Sequence, residues 1–338
     1  MKATVLKWLG VFSPQKPHLL ALLLGGVSVF AFAPFAFSPI MLVSLAGLFW
    51  LWLNAQSVFE GIKLGVWFGL GQFGAGVSWL FSSMYFYSGM PLLLAVLATF
   101  IFVLFLALYT GLAGGLARYF YHKNRPGLVL FVVFPAVWVF SELSRGSLFG
   151  GFPFLQVGTT HLGTWLDGYA PIFGVLGMSW AVAISAGLLV WLVTQRRWWV
   201  PSILLGLLWV TGGFAQKIVW VEPIGKPIDV ALLQGNIPQD QKWQQAHFYP
   251  TLQTYIRLTK QNMSADLIVW PETAIPAYFE TVEQGALKSF IEDAKLASTD
   301  ILAGVITGEV GTDHYYNALV NLRRPQERYL KTHLVPFS

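Results

Sequence analysis

Seven apolar runs before residue 215 constrain this chain more than any other feature. They cover residues 18–33, 37–54, 57–81, 91–118, 127–143, 170–194 and 198–215. A helix needs about 20 apolar residues to cross a bilayer. Hydrocarbon cannot satisfy backbone N–H and C=O groups, so such runs must close their hydrogen bonds internally as helices. The pattern therefore predicts a membrane bundle of about seven spans. The first run is short, and the second begins near Pro39. In the third, Gly61, Gly65 and Gly69 recur every fourth residue and share one helix face. Small residues on one face suit close helix packing where no water drives association. Glycines that merely fill a tolerant apolar helix satisfy the same spacing.

Charge supports a lipid solvent for this part. Only 11% of the 338 residues are charged, against about 25% in soluble domains. Residues 1–215 hold ten Lys/Arg and three Asp/Glu, namely Glu60, Glu142 and Asp167. The net charge of +5 therefore arises in the membrane part. There it bears on topology, and without a basic patch interleaved with aromatics it implies no nucleic-acid partner. Lys2, Lys7 and Lys16 place the N-terminus in the cytoplasm by the positive-inside rule. Lys63, Arg118, Lys123, Arg125, Arg196 and Arg197 fall on the same side, and Arg145 alone falls opposite. Seven spans then carry residues 216–338 outside, which is the periplasm in a bacterium with two membranes. Ala31-Phe32-Ala33 mimics a signal-peptide cleavage site, but Pro34 follows it and further runs come after, so cleavage is not expected.

The texture changes after residue 215. Residues 216–338 carry eleven Lys/Arg and thirteen Asp/Glu. Residues 216–227, with Pro223 and Pro227, read as a linker between a helical membrane domain (1–215) and a water-facing domain (228–338). Ile228–Leu233, Leu267–Trp270, Ile301–Val305 and Ala318–Leu322 read as strands, and 246–262 and 283–297 as helices. Strands alternating with helices predict an α/β layer structure.

Three stretches hold candidate chemistry. In Val269-Trp270-Pro271-Glu272-Thr273-Ala274-Ile275-Pro276 a carboxylate follows a buried strand between two prolines. Proline fixes φ and removes donors, so the turn is stiff, as a catalytic base requires. A glutamate that simply ends a strand in solvent is the plainer account of the same residues. In Tyr329-Leu330-Lys331-Thr332-His333-Leu334-Val335-Pro336-Phe337 the Lys331 ammonium stands among apolar and aromatic residues. It is costly there unless paired, and Glu272 is a natural partner; an outward-pointing strand lysine fits the spacing equally. Leu233-Gln234-Gly235-Asn236-Ile237-Pro238-Gln239-Asp240-Gln241-Lys242-Trp243 is a strand followed by a turn, with Trp243 as a lid or a core anchor. Glu142 and Arg145, three apart at a span end, predict an interfacial ion pair or a headgroup contact. His122, His161, His247 and His314 lack ligand spacing, so no metal is expected, nor any cofactor.

Taken in order, these stretches resemble the nitrilase, or carbon–nitrogen hydrolase, superfamily. The membrane runs narrow the resemblance to the apolipoprotein N-acyltransferases. It extends to Gly76-Val77-Ser78-Trp79, Tyr109-Thr110-Gly111-Leu112 and Gly151-Phe152-Pro153-Phe154-Leu155-Gln156, with Phe154 where many relatives carry tryptophan. The resemblance implies Glu272 as general base and Lys331 as catalytic lysine. It implies Trp243 near the mouth of the site and Arg145 in an outer, substrate-binding loop. It also implies a bacterial inner-membrane enzyme that takes an acyl chain from a phospholipid onto a cysteine, then passes it to the N-terminal amine of a diacylglyceryl-cysteine apolipoprotein.

The chain contains no cysteine. The family nucleophile is expected beyond Ser338, which stands where relatives carry glycine, so the chain reads as truncated and inactive alone. Three rival readings are a degenerate membrane fragment, a membrane-tethered amidase and a transporter. The family motifs within the membrane part argue against the amidase. Glu60 and Lys63 lie too near a span end to suit the transporter.

Overall fold

The computed structural model describes residues 16–122, 124–194, 198–308 and 314–332. Lys2, Lys7, Lys123, Arg196, Arg197 and the His333–Phe337 motif therefore lie outside the described residues. The chain divides into two compact units, Met1–Val221 and Glu222–Ser338.

The first unit is helical. Its main helices are α1 (Pro17–Ser28), α2 (Pro39–Asn54), α3 (Val58–Gly76), α4 (Leu92–Tyr119), α5 (Phe134–Ser147), α6 (Ala170–Thr194) and α7 (Trp199–Ala215). Among the described residues three helical segments are long and apolar enough to cross a membrane: Leu92–Tyr119, Pro126–Gly150 and Trp165–Thr194. A fourth follows if Val58–Gly76 and Trp79–Tyr87, bent by 48°, count as one span. The other apolar helices, Pro17–Ala31, Pro39–Asn54 and Trp199–Ala215, are shorter than 18 residues.

Helix α3 packs between α1 and α4 by backbone approach. A Cβ on Gly65 would stand 2.2 Å from the Thr110 carbonyl oxygen, and one on Gly61 would stand 2.5 Å from that of Gly114. One on Gly69 would lie 2.7 Å from Ala107 Cα. The glycine face read from the sequence is thus the α3–α4 contact. Another face of α3 meets α1, where a Cβ on Gly71 would lie 2.0 Å from the Leu22 carbonyl oxygen. Close approach of this kind gains dispersion contacts along both helices, the main attraction available in lipid.

The second unit is α/β. Its helices are α8 (Gln245–Gln261), α9 (Phe279–Gln284) and α10 (Lys288–Leu296). Its strands are β1 (Val230–Leu232), β2 (Leu267–Val269), β3 (Ile275–Tyr278), β4 (Asp300–Gly308), β5 (Tyr315–Asn321) and β6 (Arg328–Leu330). They form one mixed sheet in the order β1-β2-β4-β5-β6, with β3 also paired to β4. β1, β2 and β4 run parallel, joined by helical crossovers, whereas β4, β5 and β6 are antiparallel. Ile268, Ile301, Ala303, Val305 and Val320 are buried with Leu252 and Tyr255 of α8 and Phe290, Ile291 and Ala294 of α10. By strand alternation Leu232 points to the opposite face, where it is 77% exposed.

Two details differ from the sequence expectation. The single helix expected over 283–297 is two, because Gly285 leaves helical geometry at φ −114°, ψ −107°. The proline-stiffened turn continues into β3, whose pairing with β4 shifts register between Ile275 and Tyr278. Pro276 has no N–H to donate, and an irregular pairing of this kind tolerates it.

Gly65→Val should lower the unfolding temperature of the protein in detergent, at a cost of about 1–3 kcal/mol or more from overpacking. Gly74→Ala should leave it unchanged, since that Cβ would come no nearer than 4.0 Å to Val103 Cγ1. Equal melting of both variants and the wild type would contradict the packing.

Candidate active site

The sheet brings Glu272 and Lys331 together across 59 residues of sequence. Lys331 Nζ donates to Glu272 Oε1 at 2.9 Å. The geometry is set by what lies behind each residue. Trp270, 1% exposed, ends the β2 run. Its indole stacks between Tyr255 and Phe290 at 5.1 and 6.0 Å, and its Nε1 donates to Thr259 Oγ1 at 2.9 Å. That anchor fixes where Pro271 and Glu272 emerge. The Glu272 turn then rides directly over β4: Trp270 N donates to Leu302 O and Ala274 N to Gly304 O, each at 2.8 Å. A Cβ on Gly304 would stand 2.2 Å from Pro271 O and 2.7 Å from Glu272 Cα, so only glycine fits beneath the turn. Thr273 at φ 50° holds the turn in the left-handed region, and such strain collects at functional sites.

Lys331 arrives from the other side. It follows β6, whose Leu330 pairs with Ala318, and its own N–H donates to Asn317 O at 2.8 Å. The base of β6 is clamped where Arg328 donates to Glu280 Oε1 at 3.2 Å and to Thr307 Oγ1 at 3.0 Å. Burial works to raise the Glu280 carboxyl. Hydrogen bonds from Thr307, the Gly308 N–H and Arg328 outweigh it and hold the group below the ordinary carboxylate range.

The pair is not a stabilising device. The Lys331 and Glu272 side chains are 37% and 65% exposed, and an exposed ion pair contributes only about 0–1 kcal/mol. What the arrangement offers is reactivity: an accessible carboxylate that can accept a proton, and an ammonium that can serve a developing negative charge.

Glu272 opens onto a cleft of about 330 Å³ lined by residues that include Gln234, Asn236, Lys242, Tyr255 and Pro271. Gly235 is held against the Tyr255 ring, to which a Cβ would approach within 2.6 Å. Burial pushes the Tyr255 phenol up, against a backbone hydrogen bond at Gly235, so it stays neutral. Lys242 Nζ approaches Glu272 O at 3.4 Å. Burial pulls the Lys242 ammonium below the ordinary lysine range, and the Glu272 charge partly opposes that. Trp243 is 58% exposed beside Lys242 and does not line the cleft.

Arg145 belongs to the helical unit and is only 3% exposed. It makes no ion pair with Glu142, the first of the two contacts the spacing suggested. Glu142 instead accepts from Trp138 Nε1 at 3.1 Å and from Val157 N at 2.8 Å. Arg145 Nη1 donates to the carbonyls of Phe152, at 2.5 Å, and Phe154, while its guanidinium lies over Phe73 at 5.2 Å. Arg145 therefore holds the Gly151–Gln156 loop from below. Gly151 is required there, because at φ 75° its Cβ would lie 2.2 Å from Gly146 O. The loop packs Phe154 against Trp79 at 5.9 Å, joining two of the sequence motifs.

Lys242 and Gly304 were not singled out by sequence reasoning. Lys242 sits inside a stretch that was, but nothing in residue type marks a turn lysine as a cleft residue. Gly304 reads as one more strand residue until the turn above it is seen.

Residues 229–338 match the family model described as carbon-nitrogen hydrolase, which gives the class of the α/β unit. Residues 24–188 match the model described as apolipoprotein N-acyltransferase N-terminal domain. The chain belongs to the apolipoprotein N-acyltransferase family. It is 45% identical over 331 residues to a protein of that name from Methylococcus capsulatus, covering 96% of this chain and 64% of the relative. It is 38% identical over 326 residues to one from Nitrosomonas europaea, covering 94% and 64%. The relative from Coxiella burnetii is 37% identical over 323 residues, covering 95% and 66%. The chain thus spans a little under two thirds of the length of these curated relatives.

In Glu272→Gln the Lys242 ammonium should titrate at lower pH, because the opposing carboxylate charge is gone while burial remains. Lysine side-chain NMR on the labelled protein checks this. A shift to higher pH would contradict the described environment.

Proposed function

We propose that the complete protein transfers an acyl chain from a phospholipid to the N-terminal amine of a diacylglyceryl-cysteine apolipoprotein. The observation that carries this reading is the 2.9 Å Lys331–Glu272 pair at the edge of a cleft. The names of the relatives support it. Glu272 removes the proton of a cysteine thiol as its sulfur attacks the ester carbonyl of the donor. Lys331 stabilises the tetrahedral oxyanion. The ester C–O bond breaks, the lysolipid alkoxide leaves and takes the proton, and a thioester remains. The acceptor amine then attacks that thioester, Glu272 takes the proton the nitrogen loses, the C–S bond breaks, and an amide and the free thiolate result. These 338 residues contain no cysteine, so the reading draws its nucleophile from outside them. Trp243, exposed beside the cleft, is assigned to the incoming substrate. Arg145 is assigned to substrate binding through the loop it holds.

The test is a chimera of residues 1–338 and the part of the Methylococcus capsulatus relative that this chain does not cover. Given phosphatidylethanolamine and a diacylated lipopeptide, it should form the triacylated product. Glu272→Gln should lower the rate by about 10²–10⁴-fold, the usual worth of a general base. Lys331→Met should fall comparably. Undiminished product from either variant would overturn the assignment.

The proposal extends to topology: seven spans in a bacterial inner membrane, with the N-terminus cytoplasmic and the α/β unit periplasmic. Lys16 and Lys63 against Arg145, together with the basic residues outside the described segments, support it. A periplasm-dependent reporter fused after Lys217 should be active. A reporter active there only in its cytoplasmic form would refute this orientation.

A further inference from the structure

We infer that Lys242 is the cationic element of a phosphodiester-recognition site in the cleft beside Glu272, and that its ligand is the headgroup phosphate of the lipid donor. The lipid identity rests on the acyl-transfer reading above; the anion site rests on the cleft itself.

Charge is the first ground. Two ammonium groups, Lys331 and Lys242, flank one carboxylate, Glu272. Lys331 is matched to that carboxylate at 2.9 Å. Among the described residues no carboxylate forms an ion pair with Lys242, whose contact at Glu272 is the backbone carbonyl at 3.4 Å. Lys242 and Glu272 line the cleft, and Lys331 neutralises Glu272 from outside that lining, so the three groups together carry one positive charge, opposite to the single negative charge of a phosphodiester. Burial already disfavours the Lys242 ammonium, and an anion brought into the cleft relieves that penalty while gaining charge-assisted hydrogen bonds.

The second ground is the rim beside Lys242. Gln234 and Asn236 line the same cleft, and Gln234 Nε2 donates to Asn236 Oδ1 at 3.3 Å. Asn236 stands at φ 55° behind a Gly235 pressed on Tyr255, so the loop that presents these amides is conformationally fixed. A lysine and two side-chain amides on a fixed loop form a donor set suited to phosphate oxygens.

The third ground is spacing. In a glycerophospholipid the phosphate and the ester under attack are separated only by the three-carbon glycerol unit. A cation adjoining the base is where the phosphate falls when the ester carbonyl lies at Glu272 and Lys331.

The test is calorimetric titration of the 338-residue chain in non-ionic detergent. The probes are dibutyryl phosphatidylethanolamine, neutral dibutyrylglycerol and inorganic phosphate. The wild type should bind the phospholipid more tightly than either other probe. Lys242→Met should weaken phospholipid binding about tenfold, the worth of one hydrogen bond to a charged group. Dibutyrylglycerol should bind both proteins alike, and Lys242→Arg should restore most of the loss. Equal wild-type affinity for phospholipid and dibutyrylglycerol would overturn the proposal, as would phospholipid binding unaltered in Lys242→Met. Inorganic phosphate binding as tightly as the phospholipid would overturn the lipid assignment. Binding needs no catalysis. Lys242-dependent phospholipid binding in a chimera that transfers nothing defeats the acyl-transfer reading alone. Transfer at an unaltered phospholipid KM in Lys242→Met defeats this proposal alone.

Discussion

The hydrogen-bonded ion pair between Lys331 and Glu272 is the contact on which the α/β unit converges. It contributes little to stability at its degree of exposure, yet several costly features exist to place it. A fully buried tryptophan fixes the strand end before Glu272. A glycine in β4 lets the Glu272 turn lie on the sheet. The β5–β6 ladder and the Glu280–Thr307–Arg328 clamp carry Lys331 to the same edge. Rigid backing of an exposed pair is the arrangement a reacting carboxylate needs, because geometry held in advance costs nothing at the moment of reaction.

The helical unit answers a different constraint. Lipid offers no hydrophobic drive between helices, so α3 is joined to α1 and α4 through backbone contact at glycines. Its buried charges Arg145 and Glu142 are met largely by backbone. Arg145 satisfies the carbonyls of a loop rich in positive φ, and Glu142 accepts the N–H of Val157. The motifs that mark the family in this unit, Gly76–Trp79 and Gly151–Gln156, meet through Trp79 and Phe154 and are in part packing motifs.

What was legible in the sequence follows the strength of each physical signal. Apolar runs and fourfold-spaced glycines are strong signals, and the helices α2, α3, α4, α6 and α7 start and stop within five residues of their runs, whereas α5 starts seven residues into its run, after a π-helical turn at Val129–Val133. Strands β1, β2, β4 and β5 were visible as short, largely apolar runs. β3 was not, because Pro276 argues against a strand, and three-residue β6 is too short to show a period. Glu272 and Lys331 stood out only through resemblance, since each residue taken alone has a plainer reading. The expected Glu142–Arg145 pair failed because spacing along a helix says nothing about carbonyls presented by a loop seven to nine residues on. Lys242 and Gly304 owe their importance to chain crossings that no local pattern encodes.

Thiol activation is the role proposed for Glu272 backed by Lys331. Its most direct measurement is single-turnover acylation of the chimera by phosphatidylethanolamine with no acceptor present, followed by intact-protein mass spectrometry. The wild-type chimera should gain one acyl increment, labile to hydroxylamine as a thioester is, and Glu272→Gln should gain it far more slowly. Acylation of Glu272→Gln at the wild-type rate would contradict that role.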